Sequence, residues 1–574
     1  MSIPLINPIS LRHWRGDLFG GITAAIVALP LALAFGVASG ASPIAGLYGA
    51  IFTGFFAALC GGTPTQVSGP TGPMTVVITT VIASLMARHP DTGLAMAFTV
   101  VMMGGIVQIL LGLMRLGQYI TLLPYTVISG FMSGIGVIIT LLQLPPLLGH
   151  GASGGVIGTL HDLPQQMSQP NWVSVGLGLL TLAIVFLAPP KLNRVLPSPL
   201  VALVCVTVLS VLFFSPDAVP RIGDIPRGLP TVQLPTFSFR DLAEMLRYGL
   251  MLGVLGAIDS LLTSLVADSM SRSQHDSDKE LIGQGIGNVL AGLFGGLPGA
   301  GATMRTVVNV QAGGRTPLSG MIHALVLLMV VLWAGPLTAQ IPHAVLAGLL
   351  LKVGFDILDW GFIKRAPRIS LRGTGIMYLV LVLTVFVDLI TAVLVGAFVA
   401  NMLTIKRLSD VQSDRIHAVT DPAQGQNLSL AEQAILTRSN GDILLFQLSG
   451  PMSFGAAKSI SRRLSMVKTY QVLVLDLSEV PTIGVTAALA IESMVQDAIK
   501  RRRFIWIVAT SPQVQSRLAT LDLDRFSTPA RPRGTLPQDR LPPVHQVSDR
   551  LYALESAFAV LSAEPSPPPV PTAQ

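Results

Sequence analysis

The first four hundred residues alternate between long apolar runs and short polar breaks. The runs fall at about 17–39, 43–60, 71–86, 93–115, 121–143, 172–188, 198–214, 246–268, 281–296, 303–312, 318–334, 343–359, 374–387 and 389–405. Most approach the roughly 17–25 residues that a helix needs to cross a bilayer core. They predict fourteen membrane segments. The third and tenth are short, and each is entered by a glycine- and proline-rich stretch, SGPTGPM at Ser68–Met74 and GLPGAGATM at Gly296–Met304. The last two are split only by Asp388 within one long apolar run, which predicts a hairpin.

Backbone as rich in glycine as Gly296–Gly301 does not continue a helix. At membrane depth, unwound backbone is tolerated only where it lines a cavity or is buried in protein. The two short segments also share a repeat. TVV at Thr75–Val77 recurs at Thr306–Val308, 231 residues later, each time after small residues. That shift is about seven segments, an odd number, so the second copy is inverted. Two broken helices would then face each other at mid-membrane from opposite sides.

Charge supports the count. Basic residues follow the even-numbered segments: Arg115; Lys191 and Arg194; Arg272 and Lys279; Arg315; Lys364, Arg365, Arg368 and Arg372; Lys406 and Arg407. The stretches 144–171 and 335–342 carry none, while 215–245 departs from the rule with Arg221, Arg227 and Arg240. This bias puts both termini in the cytoplasm. Arg12 and Arg15 precede the first apolar run, which reads as a first span and not as a removed signal peptide. With 51% hydrophobic and 12% charged residues and a mean hydropathy of +0.65, the chain is a polytopic membrane protein. Its net charge of +7 marks membrane-flanking loops and does not call for a nucleic-acid partner.

Beyond Arg407 the composition changes. Residues 408–440 are polar and read as a linker, giving a membrane domain over 1–407. Strand patterns at Asp442–Gly450, Gln471–Ser478 and Phe504–Thr510 alternate with helical ones at Ser453–Val467 and Gly484–Arg502. They predict a compact α/β domain over 441–562, closed by a helix at Ser548–Ser562 after an irregular stretch, 525–546. The proline-rich end, 563–574, reads as a disordered tail.

The candidate site is in the membrane. Asp259 lies inside the apolar run GAIDSLLTSLVAD, where a charge costs roughly 2.5–3.5 kcal/mol, so it marks a functional position. Thr263 follows at i+4 on the same helix face. A carboxylate and a hydroxyl suit a small hard cation, with further oxygens from the carbonyls of Gly301 and Ala302 and the Thr303 hydroxyl. The starts of the two short helices supply N–H groups and dipole for a small anion, which points to Thr71, Gly301, Ala302 and Thr303. Arg305 could add charge there or meet a partner elsewhere. Asp259 could also be a structural or proton-carrying carboxylate, and Thr71 and Thr303 could simply cap their helices. The stretch Ala28–Gly36 is expected to line the cavity. Asp268, Lys279 and Glu280 read as solvated loop charges, His275, His323 and His343 as packing or loop polarity, and Cys60 and Cys205 as packing.

Five stretches together resemble one family: GGITAAIVALPLALAFGVASG, SGPTGPM, IDSLLTS with ELIGQGIGN, GGLPGAGATMRTVVN and AVLAGLLLKVGFDILDW. They are similar to the sulfate permease (SulP) family of anion transporters, and the C-terminal part resembles the STAS domain those proteins carry. The pattern is nearest to the sodium-dependent bicarbonate transporters of that family. The resemblance implies two inverted seven-segment repeats in a UraA-like fold. Segments 1–4 and 8–11 would form a core and segments 5–7 and 12–14 a gate, with substrate between segments 3 and 10. It implies an elevator-like movement, a homodimer in the bacterial inner membrane, and sodium ligation by Asp259 and Thr263 with Gly301, Ala302 and Thr303. Sodium would be the coupling ion, with no other metal and no cofactor. Where regulated STAS domains carry an acceptor Ser after Asp, this chain has Gly484-Val485, with Thr482 and Thr486 near, which favours dimerisation over a phosphorylation switch.

The leading expectation is sodium–bicarbonate symport. The alternatives are a proton-coupled sulfate or dicarboxylate permease of the same fold and a non-transporting anion sensor. A nucleobase carrier lacks an obvious carboxylate in the tenth segment. No Walker motif, zinc spacing or nucleophile–base pair is visible, so an ATP-driven pump or an enzyme is not expected.

Overall fold

The computed structural model describes residues 6–120, 124–151, 155–189, 197–223, 230–333, 338–425, 427–467, 469–521 and 544–563. Lys191, Arg194, Arg227, the tail beyond 563 and most of the stretch 525–546 lie outside them. The chain divides into two compact units, Met1–Ala400 and Asn401–Gln574.

Fourteen helices fall on the fourteen apolar runs. They are α1 (Trp14–Ala38), α2 (Pro43–Cys60), α3 (Gly72–Arg88), α4 (Gly93–Leu113), α5 (Tyr125–Leu142), α6 (Trp172–Leu187), α7 (Ser198–Phe213), α8 (Leu242–Ser271), α9 (Ser277–Leu293), α10 (Thr303–Gln311), α11 (Pro317–Trp333), α12 (His343–Ile357), α13 (Leu371–Phe386) and α14 (Leu389–Ser413). Polar punctuation sets several starts. Ser42 accepts from Ala45 N ahead of α2, Asp276 from Lys279 N ahead of α9, and Ser370 from Gly373 N ahead of α13. Two expectations need correcting. The stretch 144–171 also carries helices, Leu144–Leu147 and Gly155–Ser168, the second bent by 114° against α6. Cys205 is exposed on α7, whereas Cys60 is buried.

Helices α1–α4 and α8–α11 pack chiefly on one another, and α5–α7 with α12 and α13 form a second group. Gly396 of α14 meets Val127 and Val380 of that second group. Core and gate are therefore the expected sets. In lipid, helices associate by close packing more than by the hydrophobic effect. The α4–α9 crossing shows it: a Cβ on Gly105 would lie 2.6 Å from the Gly285 carbonyl oxygen, and one on Gly285 2.5 Å from that of Gly105.

The two broken spans meet. β1 (Ser68–Pro70) and β2 (Gly299–Gly301) pair antiparallel, Ser68 with Gly301, Gly69 with Ala300 and Pro70 with Gly299. The central pair, Gly69 and Ala300, is 231 residues apart, the spacing of the TVV repeat. The repeat axis thus passes between those two residues.

The second unit is an α/β domain with a five-stranded sheet in the order β3 (Ile416–Val419), β4 (Ile443–Ser449), β5 (Val472–Glu479), β6 (Phe504–Val508), β7 (Val544–Val547). β3 is antiparallel to β4, and the other neighbours are parallel. Helices α16 (Phe454–Met466), α17 (Val485–Lys500) and α19 (Arg550–Ala563) fall on the expected helical stretches, and α18 (Pro512–Thr520) follows β6. The expected linker 408–440 is a correction: it holds β3 and α15 (Leu430–Arg438). The sequence signal was present, since Ser429 and Glu432 form a capping box.

One ion cluster ties this unit together. The Arg550 Nε atom donates to Glu432 at 2.7 Å and its Nη1 to Asp476 at 3.1 Å, joining α15, β5 and α19. Burial raises the Glu432 carboxyl, but the bonds and charge of Arg550 together with the bonds from Ser429 more than offset this and hold it below the ordinary carboxylate range. Its contribution to stability is therefore present at neutral pH and is lost as pH falls through that lowered value. Arg550→Ala leaves two buried carboxylates without their cation, at a cost of about 3 kcal/mol. Amide exchange across α15 and α19 in the full chain is expected to accelerate by roughly a hundredfold. Unchanged exchange would show that the cluster is dispensable.

Candidate functional site

The junction of β1 and β2 is unwound backbone in the middle of the core, and side chains complete its hydrogen bonding. Asn288 of α9 brackets Gly299: its Oδ1 accepts from Gly299 N at 2.7 Å and its Nδ2 donates to Gly299 O at 2.8 Å. Ser260 of α8 accepts from Gly301 N at 3.0 Å. Gln284 donates to the Ser68 hydroxyl at 2.5 Å. Thr306 accepts from Val67 N at 3.1 Å. The strands also touch: a Cβ on Gly299 would lie 2.7 Å from the Gly69 carbonyl carbon.

Helix α8 runs beside this junction with the predicted ligands on one face. Thr263 donates to the Gly301 carbonyl at 2.9 Å and shares a hydrogen bond of 2.8 Å with the Thr303 hydroxyl. Three of the expected cation ligands therefore converge. Asp259, one turn away and only 7% exposed, accepts from the Thr71 hydroxyl at 2.8 Å. No cationic side chain pairs with it among the described residues. Asp259 and Thr71 were assigned to different ions, and the structure joins them directly.

Neither threonine side chain caps its helix. Thr71 is the N-cap of α3 without a side-chain cap bond, and Thr303 is the first residue of α10, whose N-cap is Ala302. The first-turn N–H groups of both helices thus lack intrahelical acceptors. Gly301 N is engaged by Ser260 and Ala302 N by the Val67 carbonyl at 2.9 Å, so both of these expected donors already have protein acceptors. The N–H groups without an intrahelical acceptor include those of Gly72 at the start of α3 and of Thr303 and Met304 at the start of α10. Ala302 O accepts from Thr306 N within α10, whereas Gly301 O remains grouped with the two threonine hydroxyls.

Arg305 is 2% exposed and donates through Nη2 to the carbonyl of Pro70. It straps the end of β1 and brings positive charge to the junction. Its Nη1 and both ring nitrogens of His323 are buried without a partner among the described residues.

Glu280 corrects the reading of a solvated loop charge. It is 1% exposed, faces inward from α9, and accepts from Gln66 at 2.7 Å, Gln284 at 2.8 Å and Thr63 N at 2.9 Å. Ser264 links Gln66 and Thr63 in turn. The signal lay in ELIGQGIGN: Glu280, Gln284 and Asn288 follow at i, i+4 and i+8 and form one polar stripe on an apolar helix. Asp268 also has partners in place of solvent, since it accepts from His275 N at 3.0 Å and His275 Nδ1 at 2.7 Å. Lys279 donates to Asn7 at 2.7 Å.

A cavity of about 780 Å³ opens on one side of the site, with Ala34, Val76, Thr79, Gln143, Arg247 and Asp388 in its wall. Of the expected lining stretch, Ala34 reaches this wall and Phe35 a cleft below it. That cleft, of about 20 Å³, ends at Gly72 and Thr75. Two gate side chains cover the start of α3 there: a Cβ on Gly72 would lie 2.8 Å from Cδ1 of both Ile139 and Ile357.

Residues 14–380 match the model of the sulfate permease family, and residues 434–533 match that of the STAS domain. The bicarbonate transporter BicA of Synechocystis sp. is 53% identical over 523 residues, covering 91% of this chain and 93% of that one. The solved transmembrane domain of a cyanobacterial bicarbonate transporter BicA is 59% identical, with a TM-score of 0.65 over 68% of this chain and 100% of that one. SLC26A9, at 18% identity, shares the fold with a TM-score of 0.76, over 97% of this chain and 91% of that one.

The ladder generates a prediction. Gly299→Ala forces a methyl into the β1 backbone and is expected to cost about 1–3 kcal/mol. The melting temperature of the solubilised protein should fall by a few degrees, while Ala300→Gly should leave the pairing in place. Equal melting of Gly299→Ala and the parent would show that the strands do not touch as described.

Proposed function

The chain belongs to the sulfate permease family, and we propose that it takes up bicarbonate across the bacterial inner membrane together with sodium. One observation carries the reading: a carboxylate, two hydroxyls and a carbonyl lie at the meeting point of two helix N-termini. Sodium sits among Thr263, Gly301 O and Thr303, within reach of Asp259, because oxygen donors with one carboxylate suit a small hard cation. The anion sits between the starts of α3 and α10, held by the N–H groups of Gly72, Thr303 and Met304 and by the Thr71 hydroxyl. Arg305 contributes charge from behind. Each ion lowers the cost of the other: sodium offsets Asp259 and leaves the helix dipoles to the anion. The 53% identity to a bicarbonate transporter favours bicarbonate over sulfate as the anion.

Transport follows from the division into core and gate. The ions bind wholly to the core, and Ile139 and Ile357 of the gate cover the site. Sliding the core past these residues carries the ions from one side to the other without opening the ladder. The protein is a homodimer through its STAS domain, with both termini in the cytoplasm. Asp259 is no general base here, and no covalent chemistry is assigned to the site.

The test is uptake of labelled bicarbonate into proteoliposomes at fixed pH, with and without an inward sodium gradient, with labelled sulfate in parallel. Uptake should require sodium, and Asp259→Ala should reduce it by roughly tenfold or more. Thr263→Val, which keeps the shape but removes the oxygen, should raise the sodium concentration needed. Sulfate uptake indifferent to sodium would contradict the assignment, and binding without flux would point to a sensor.

A further inference from the structure

Between α12 and α13 lies a short helix, Trp360–Ile369, that the transport reading leaves unused. It is held firmly at its start. Asp359 caps it by accepting from Phe362 N at 3.0 Å, and the same carboxylate accepts from Tyr125 at 2.8 Å and Ser129 at 2.8 Å on α5. Ala366 is buried against the protein. At 3.6 residues per turn, Lys364, Arg365 and Arg368 fall within about 100° of arc, opposite the apolar side of Phe362, Ala366 and Ile369. Arg372 follows at the start of α13.

All four cations are exposed, and none has an ion-pair or side-chain hydrogen-bond partner among the described residues. Their neighbours are those of a membrane interface. Trp360 and Phe355 have ring centroids 4.9 Å apart, and Phe355 and Phe186 5.4 Å apart. Tyr125 stands edge-on to Phe362 at 5.1 Å. Ile369 and Leu371 are 70% and 80% exposed beside the cations. An aromatic belt at the ends of three membrane helices marks headgroup depth. A basic, amphipathic helix at that depth lies in the plane of the interface.

We propose that Lys364, Arg365, Arg368 and Arg372 form a binding surface for the headgroups of anionic phospholipids in the adjoining leaflet. The chemistry is a phosphodiester with a net negative charge, met by guanidinium and ammonium groups, with Ile369 and Leu371 entering the acyl region. The surface belongs to the gate through α5, α12 and α13. It holds the gate to the leaflet as a fixed footing against which the core moves.

The test measures lipid retention and not transport, so it stands or falls separately from the bicarbonate reading. The purified full chain, in mild detergent, is mixed with dioleoylphosphatidylglycerol or with dioleoylphosphatidylcholine, and retained lipids are counted by native mass spectrometry. The parent should retain phosphatidylglycerol preferentially. The variant K364Q/R365Q/R368Q/R372Q should retain at least about fivefold less of it, with phosphatidylcholine unchanged. The charge-conserving K364R/R365K/R368K/R372K should retain it as the parent does, which separates loss of charge from misfolding. Equal phosphatidylglycerol retention by the parent and the glutamine variant would overturn the proposal, as would a parent that does not distinguish the two lipids.

Discussion

A membrane interior offers unwound backbone no water to bond, and the rest of this structure depends on how that need is met. Each broken span exposes N–H and C=O groups that would cost several kcal/mol unpaired. The inverted repeat lets each span satisfy the other, through the pairing of Ser68–Pro70 with Gly299–Gly301. The ladder is too short to do this alone. Asn288 and Ser260 from neighbouring helices and Thr306 of α10 supply missing backbone partners, and Gln284 holds the Ser68 hydroxyl. What remains without an intrahelical partner is the first turn of α3 and of α10, where the proposed anion site lies.

Two buried carboxylates show how differently charge can be handled in one core. Glu280 receives three hydrogen bonds, from Gln66, Gln284 and Thr63. It is a structural anchor for the stretch that leads into β1. Asp259 has one direct donor, Thr71, and sits where three further oxygens are gathered around Thr263. A carboxylate so incompletely satisfied is suited to exchange partners. The difference in hydrogen bonding, more than in burial, separates the scaffold residue from the one proposed to bind sodium.

Much of this was legible in the sequence because membrane helices announce themselves by length and polarity. All fourteen segments follow from apolar runs, and the meeting of the broken spans follows from the TVV repeat. Asp259 stood out as a charge among apolar residues. The engagement of Gly301 N and Ala302 N was not legible, because it depends on the strand register and on where Ser260 and Val67 fall in space. Glu280 was misread from its place near a helix start, although its spacing with Gln284 and Asn288 already described a buried polar stripe. In the second unit, β3 was missed because an edge strand of four residues, IHAV, leaves little periodicity, and its polar surroundings resembled a linker.

The central claim is that two ions share one junction and stabilise each other. It is tested most directly by equilibrium binding of labelled sodium to the purified chain, with and without bicarbonate, and by the reciprocal titration. The account predicts that bicarbonate tightens sodium binding by roughly fivefold or more and that sodium tightens bicarbonate by the same factor. It also predicts that both effects vanish in Asp259→Asn. Sodium binding that is indifferent to bicarbonate, or a coupling that survives Asp259→Asn, would contradict it.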